Sequence, residues 1–543
     1  MSDRIKGSKR YFWIGLALAI LWVILHLPAV HYGTANIPLH AAFIGDEQSP
    51  INGALHIIES NSLLGLRDLP TVYYGPVFSV IALPAVIFDY AAKLMTGAVH
   101  SAADYRNYII WDWGGIDRKA RLISVVTGFL ALLSLYALLM TETINPKRSR
   151  WLALVGVSLL AFNFYFFEYS SYFKHWIYVI AALIAQIYFL VRMIEDPKHI
   201  RRYYIWQGFL FVATFGLSYV SALSQIIFLP VLIKWYRDKN YRMLKAFGIY
   251  CLCLIIPLLL MIIWHPRSFL RLIHVTGGDI TGTGFGGWTQ EALWSGFSFV
   301  YYLKIIVTNH LALLGLWLML IFRAIRKRIH RSYIFWLPIC VMGIFFLIFG
   351  LLGHHESRYI LPVIVSIIMS AAMLLVMEWD SLNRMMRIVS IMLVSALLIY
   401  HGTSLYFWDN AMLAGPAERV AVATAVEYQR LHPQAKQLFV ADYIFGYPHT
   451  RAAYDAYIGK YNKARYGLFD AMTTSPLPTN ITLLNAYYIP IASFRPSDVK
   501  GYDRVLYRYM LSTAAHLEPD FPEVDLTRYW VSPAWSDDFI QIK

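Results

Sequence analysis

RIKGSKRYFWIGLALAILWVILHLPAV, residues 4–30, sets the class of the fold. Its basic cluster is followed by an almost unbroken apolar run over 11–30, which as an α-helix covers the roughly 30 Å hydrocarbon core of a bilayer. No small-residue cleavage site follows, and the run exceeds the apolar core of a secretory signal, so it reads as an uncleaved first helix. The same alternation repeats down the chain. Apolar runs end in basic clusters at 147–150, 198–202, 234–245, 323–331 and 384–387, and together with 4–10 these short loops hold 22 Lys and Arg. Positive charge concentrated in short loops marks the cytoplasmic side of a polytopic membrane protein.

Composition agrees. Of 543 residues, 58% are hydrophobic and 15% charged, against about 45–50% and about 25% for soluble domains, which excludes a simple soluble enzyme. A transmembrane β-barrel would show short alternating strands, whereas these runs are continuous. Cys251, Cys253 and Cys340 all lie inside apolar runs, so neither a disulfide framework nor a zinc cluster is expected. The net charge is +14, yet residues 406–543 hold 13 Lys+Arg and 14 Asp+Glu, so the excess belongs entirely to residues 1–405. Nucleic-acid binding would want that charge on one exposed face rather than spread through interhelical loops.

With the basic loops inside, the spans fall near 11–30, 119–141, 151–168, 173–194, 203–221, 222–236, 244–264, 302–322, 332–352, 359–377 and 387–405. About 11 transmembrane helices place the C-terminus outside. The run 71–95 would upset this parity, so it is predicted not to cross: Pro76 and Pro84 break it, Asp89 and Lys93 lie near its end, and it reads as helices in the outer interface. Residues 1–405 then form a membrane domain with two large outer loops, 31–118 and 265–301. Residues 406–543 form a soluble extracytoplasmic α/β domain, with a helical stretch at 417–431 and strand-like segments at 437–442, 481–488 and 538–543. No internal repeat of the kind that builds inverted-half transporters is visible.

Charged residues near the outer boundary are the candidate site. Asp46 and Glu47 follow the first helix in an apolar, aromatic stretch; such a pair suits a general base, and equally a solvated acidic loop. Glu168, Lys174 and His175 occupy a very short outer turn, where charge is costly unless used; Lys174 snorkelling to the interface is the plain alternative. GLLGHHESRYILPVIV, 350–365, sets His354, His355, Glu356 and Arg358 at the start of a late helix. A helix N-terminus with an arginine fork binds phosphate well; a Glu356–Arg358 pair in a turn is the alternative. The outer loop at 264–288 adds His265, Arg267, Arg271, His274 and Asp279 with six glycines, read as a mobile lid or a plain connection. It contains no nucleotide-cradle spacing. No HExxH or similar spacing occurs, so no metal site and no cofactor are assigned; a divalent cation on Asp46 and another carboxylate stays open.

Taken together, the GDE of the first outer loop, YYGPVFSVIALP (73–84, beginning at Tyr73 and Tyr74) and HHESRYILPVIV resemble integral-membrane glycosyltransferases of the GT-C fold class. The nearest branch is that of protein O-mannosyltransferases and lipid A aminoarabinose transferases. In that branch the first-loop Asp of a DE pair is catalytic, the segment after it forms juxtamembrane helices, and RLISVVTGFLALLSLYALLM (121–140) resembles the second helix. Two departures stand out: the usual proline pair is here Gly75-Pro76, and Glu168 occupies a loop that often carries Asp. The resemblance implies a bacterial inner- or plasma-membrane enzyme that moves a sugar, with inversion, from a polyprenyl-phosphate-linked donor to a glycan, lipid or protein acceptor on the outer face. Asp46 would be the base, with Glu47 its rival. Arg358, His354, His355 and Lys174 would hold the donor phosphate. Competing classes are a transporter or lipid flippase that uses the buried charges as substrate sites, and a membrane-anchored assembly protein whose tail binds a partner.

Overall fold

The structure, a computed structural model, describes residues 2–31, 48–63, 66, 75–102, 104–105, 108, 114–147, 149–266, 269–270, 298–329, 332–351, 357–414, 427–441, 486–490, 501, 503–510 and 537–542. Helices dominate: α1 Ser2–His31, α2 Gln48–Ser60, α3 Pro76–Met95, α4 Gly114–Leu139, α5 Arg150–Ala161, α6 Phe164–Ser171 and α7 His175–Glu195. They continue as α8 Ile200–Leu217, α9 Phe228–Arg237, α10 Tyr241–Trp264, α11 Ser298–Arg326, α12 Tyr333–Leu351, α13 Leu361–Glu378 and α14 Arg384–Ala414. Among the described residues nine helical segments are long and apolar enough to cross a membrane, or ten if the bent pair α5 and α6 counts as one span.

That tally differs from eleven for local reasons. The apolar part of α1 that is described, Ala17–His31, is short. The boundary expected at 221/222 falls instead at Ser218, which takes an extended conformation (φ −154°, ψ 122°) and ends α8. A 3-10 stretch, Tyr219–Ile227, then joins α9 to make one apolar segment, Tyr219–Arg237, while α8 is not among the nine. The run 71–95 was expected to be broken by its prolines. Instead α3 is continuous over Pro76–Met95 and is itself long and apolar enough to span. Pro76 occupies the first helical position, where a missing N–H costs nothing.

Contacts divide the chain into two units: Met1–Ile51, Ala82–Leu122 and Tyr406–Lys543 form the first, and Asn52–Ile81 and Ile123–Leu405 the second. In the first unit, fully buried Arg121 donates from Nη1 to the carbonyls of Ala29 (3.2 Å) and Val30 (3.4 Å). A cation there satisfies the orphan carbonyls and the dipole at the end of α1. Asp89, also fully buried, accepts from Lys119 Nζ at 2.7 Å and from the Tyr105 hydroxyl at 3.0 Å. Its carboxylate lies so close to the first turn of α4 that a Cβ at Gly115 would come within 2.4 Å of Oδ1. An anion at a helix N-terminus is stabilised by the free N–H groups.

Of the expected tail elements, the described 427–431 is helical. Strands β1 Gln437–Ala441, β2 Ala486–Pro490, β3 Arg504–Met510 and β4 Asp537–Ile542 form one sheet in the order β2-β1-β3-β4. β1 runs parallel to β2 and β3, and β3 antiparallel to β4. β3 was not expected, although VLYRYM has the aromatic and β-branched character of a strand.

The second unit is built around α13, which packs against α5, α11 and α12 and is buried along nearly its whole length. Gly156 of α5 admits the close approach: a Cβ there would meet the Ala372 side chain at 3.1 Å and Leu139 Cδ1 at 2.6 Å. Small residues at such contacts are what helices in lipid need in order to pack. At the C-terminal end of α13, Glu378 accepts from Arg323 Nε (3.1 Å) and the Ser381 hydroxyl (2.6 Å) and pairs with Lys327 (3.2 Å). Ahead of α3, the Gly75 N–H donates to Leu217 O at 3.0 Å, and a Cβ on Gly75 would sit 2.2 Å from Gly216 O. The departure from a proline pair thus has a cause: Gly75 and Gly216 bring two backbones into contact. Gly75→Ala is expected to lower stability by about 1–3 kcal/mol, as forced overpacking does, and a melting curve of the purified protein in detergent that is unmoved would contradict the contact.

Candidate functional site

The described candidates gather where α7 begins. Lys174 is extended (φ −123°, ψ 145°) and precedes its first residue, His175. The preceding helix α6 is capped at its start by Asn163, which accepts from the Phe166 N–H, and it ends where the Ser170 and Ser171 hydroxyls donate back to its carbonyls and Tyr172 turns to extended backbone (φ −107°, ψ 146°). Glu168, partly buried on α6, lies within electrostatic reach of Lys174. His175 is buried, its ring 4.6 Å from that of Trp176 and 6.4 Å from Phe78 of α3. Phe78 in turn stacks on Phe173 at 4.8 Å.

The late motif arrives from the other side of the same cluster. Ser357–Ile360 is a single 3-10 turn that leads into α13, with Pro362 in the helix's first turn. Tyr359 stacks on Phe349 of α12 at 4.9 Å and meets Trp176 edge-on at 5.8 Å. The half-buried Arg358 guanidinium lies 5.4 Å from the centre of the Tyr359 ring. A guanidinium held over an aromatic face keeps its fork directed while staying weakly hydrated, a suitable state for binding a phosphate. Residues 175–176 and 358–359, remote in sequence, therefore share one aromatic cluster bordered by the N-termini of α7 and α13, with Lys174 directly ahead of α7.

Other sequence candidates fall elsewhere. Fully buried His265 ends α10, and its carbonyl accepts from the Tyr219 hydroxyl at 3.5 Å, so it belongs to the packing of the 3-10 stretch. Asp46, Glu47, Tyr73, Tyr74, His354, His355, Glu356 and Asp279 lie outside the described residues, as do Arg267, Arg271 and His274. Among the described residues no group of three or more His, Cys, Asp or Glu is arranged to hold a metal ion.

Sequence reasoning missed the head of α4, GGIDRKAR (114–121), whose Lys119 pairs with Asp89 and whose Arg121 caps α1. The signal was present: four charges in five residues, opening an apolar run. They stood apart from the short basic loops and were read only as the start of a span.

The fold defines a polytopic α-helical integral-membrane protein, and no family model and no curated protein matches it. Two solved structures are similar over 98% of this chain and 98% of theirs: ArnT from Cupriavidus metallidurans bound to undecaprenyl phosphate (12% identity, TM-score 0.45), and the same protein in the apo state (13%, 0.47).

Proposed function

We propose that the protein is an inverting glycosyltransferase which moves a hexosyl or pentosyl unit from a polyprenyl-phosphate-linked donor to a glycan, lipid or protein acceptor on the outer face of a bacterial inner or plasma membrane. The observation that carries this reading is the convergence of Arg358–Tyr359 with His175–Trp176 in one cluster. Cations there meet a leaving phosphate, while the donor's apolar tail stays in the bilayer. In the reaction an acceptor hydroxyl attacks the anomeric carbon, the new C–O bond forms as the bond to phosphate oxygen breaks, and the proton passes to Asp46. The electron pair leaves with the polyprenyl phosphate, whose charge Arg358 and Lys174 offset, assisted by His354 and His355. No cofactor is invoked, and a divalent cation on Asp46 stays an alternative for charge stabilisation. Residues 1–405 form the catalytic membrane domain and 406–543 an outer α/β domain.

Arg358→Lys keeps the charge but loses the bidentate fork. Both Arg358→Lys and Arg358→Ala are expected to weaken binding of a polyprenyl-phosphate sugar in a filter or fluorescence assay, Ala more than Lys. Parent-like binding and turnover in both variants would remove Arg358 from the site.

Orientation is open to a direct check. In a background lacking the native cysteines, a Cys at Ser475 is expected to react with an impermeant reagent in intact cells, and a Cys at Ser149 is not. The reverse pattern would overturn the topology, α3 on the outer side included.

A further inference from the structure

Within the second unit, two helices are broken among polar residues in the interior of apolar segments. α5 and α6 meet at 66° across Phe162–Asn163. α11 departs from helical geometry at His310 (φ −134°, ψ 27°). Neither proline nor glycine flanks that break, so it coincides with the imidazole itself. His310, 1% exposed, faces His401 of α14, 3% exposed, with ring centroids 5.2 Å apart and planes inclined at 38°. The Tyr165 ring lies 5.5 Å from His310, and its hydroxyl accepts from Asn309 Nδ2 at 3.1 Å. Beside His401 a small cavity is lined by Asn163 and by apolar side chains of α5, α11 and α14.

All four ring nitrogens of this pair are buried without a hydrogen-bond partner in the protein. In an apolar layer, unmade hydrogen bonds are costly, and ionisable side chains persist there for use. A neutral imidazole offers one lone pair and one N–H, so the two adjacent imidazoles bring two nitrogen donors into one buried place. Among the described residues no third His, Cys, Asp or Glu joins them. Four-ligand zinc is therefore poorly served, and Ca²⁺ or Mg²⁺ would want oxygen ligands. A divalent charge would also lack a counter-ion. Imidazole suits copper, and the cuprous ion carries a single charge and accepts a low coordination number.

We propose that His310 and His401 form an intramembrane cuprous-ion site, separate from the cluster around Arg358. The test uses the full-length protein in detergent micelles, kept reduced and anaerobic, with Cu(I) supplied in competition with bathocuproine disulfonate. The parent is expected to take one copper per chain from the chelator, and its X-ray absorption to show nitrogen scatterers. His310→Gln and His401→Gln, checked for parent-like melting, should each lose at least about tenfold in affinity. The proposal is overturned if the parent leaves the copper with the chelator, or if both variants bind like the parent. A sulfur shell in the absorption spectrum, the mark of methionine or cysteine binding, also overturns it and needs no variant to be read.

Discussion

Asp46→Asn is expected to fold, insert and bind the lipid-linked donor, and to lose sugar transfer by roughly 10²–10⁴-fold, the contribution of a general base. Asn keeps the shape and hydrogen-bonding capacity of Asp but cannot accept the acceptor's proton. Asp46 follows the first helix by 15 residues. The end of that helix is fixed by Arg121, whose guanidinium holds the Ala29 and Val30 carbonyls, so the chain leaves the membrane from a tethered point. An apolar setting raises a carboxyl's pKa toward the range useful to a base, while a nearby cation keeps it ionised. Glu47 is the rival, because adjacent loop residues point in different directions. Donor consumption in the presence of acceptor, measured side by side for Asp46→Asn and Glu47→Gln, separates them. Full activity in Asp46→Asn removes it as the base, and full activity in both variants brings the transporter and partner-binding readings forward.

Glu378→Ala should act on stability alone. Its carboxylate, 7% exposed, holds Arg323, Lys327 and the Ser381 hydroxyl together where α11, α13 and α14 meet. Removing one partner of a buried pair costs about 3–5 kcal/mol; the lower end, about 3 kcal/mol, applies here because Lys327 is 39% exposed and regains water. α13 has 18 residues, so at 1.5 Å per residue its length places Glu378 about 27 Å from the Arg358 end. The measurement is unfolding of the purified variant in detergent, together with the specific activity of the fraction that stays folded. A parent-like melting profile would show that the network contributes nothing, and lost activity in the folded fraction would place Glu378 in the chemistry instead.

The membrane architecture was legible because hydropathy and basic loops report directly on burial and sidedness. Among the described residues the long apolar runs are helical, and α13 begins just beyond the SRYI turn that the late motif pointed to. The gathering of residues 175–176 with 358–359 was legible only as two separate motifs, since ring contacts between distant segments leave no local periodicity. Arg121 could be seen as a charge beside an apolar run, but not as the cap of a helix 91 residues away. Ser218 gave no warning that it would end α8, because serine is tolerated within a helix, and only its extended backbone marks the break. His310 and His401 read as isolated polar residues in apolar runs; their meaning lies in facing each other.

The burial of α13 also bears on how the molecule is made. Its neighbour α5 leaves the ribosome about 200 residues earlier, and its neighbours α11 and α12 precede it as well. Until α13 arrives, the face of α5 that carries Gly156 has Leu139 of α4 beside it but lacks Ala372. Insertion of α5 and completion of its packing in the second unit are therefore distinct events, separated by about two fifths of the chain's length. A chain stopped before Leu361 would contain every other helix of that contact and still lack its centre.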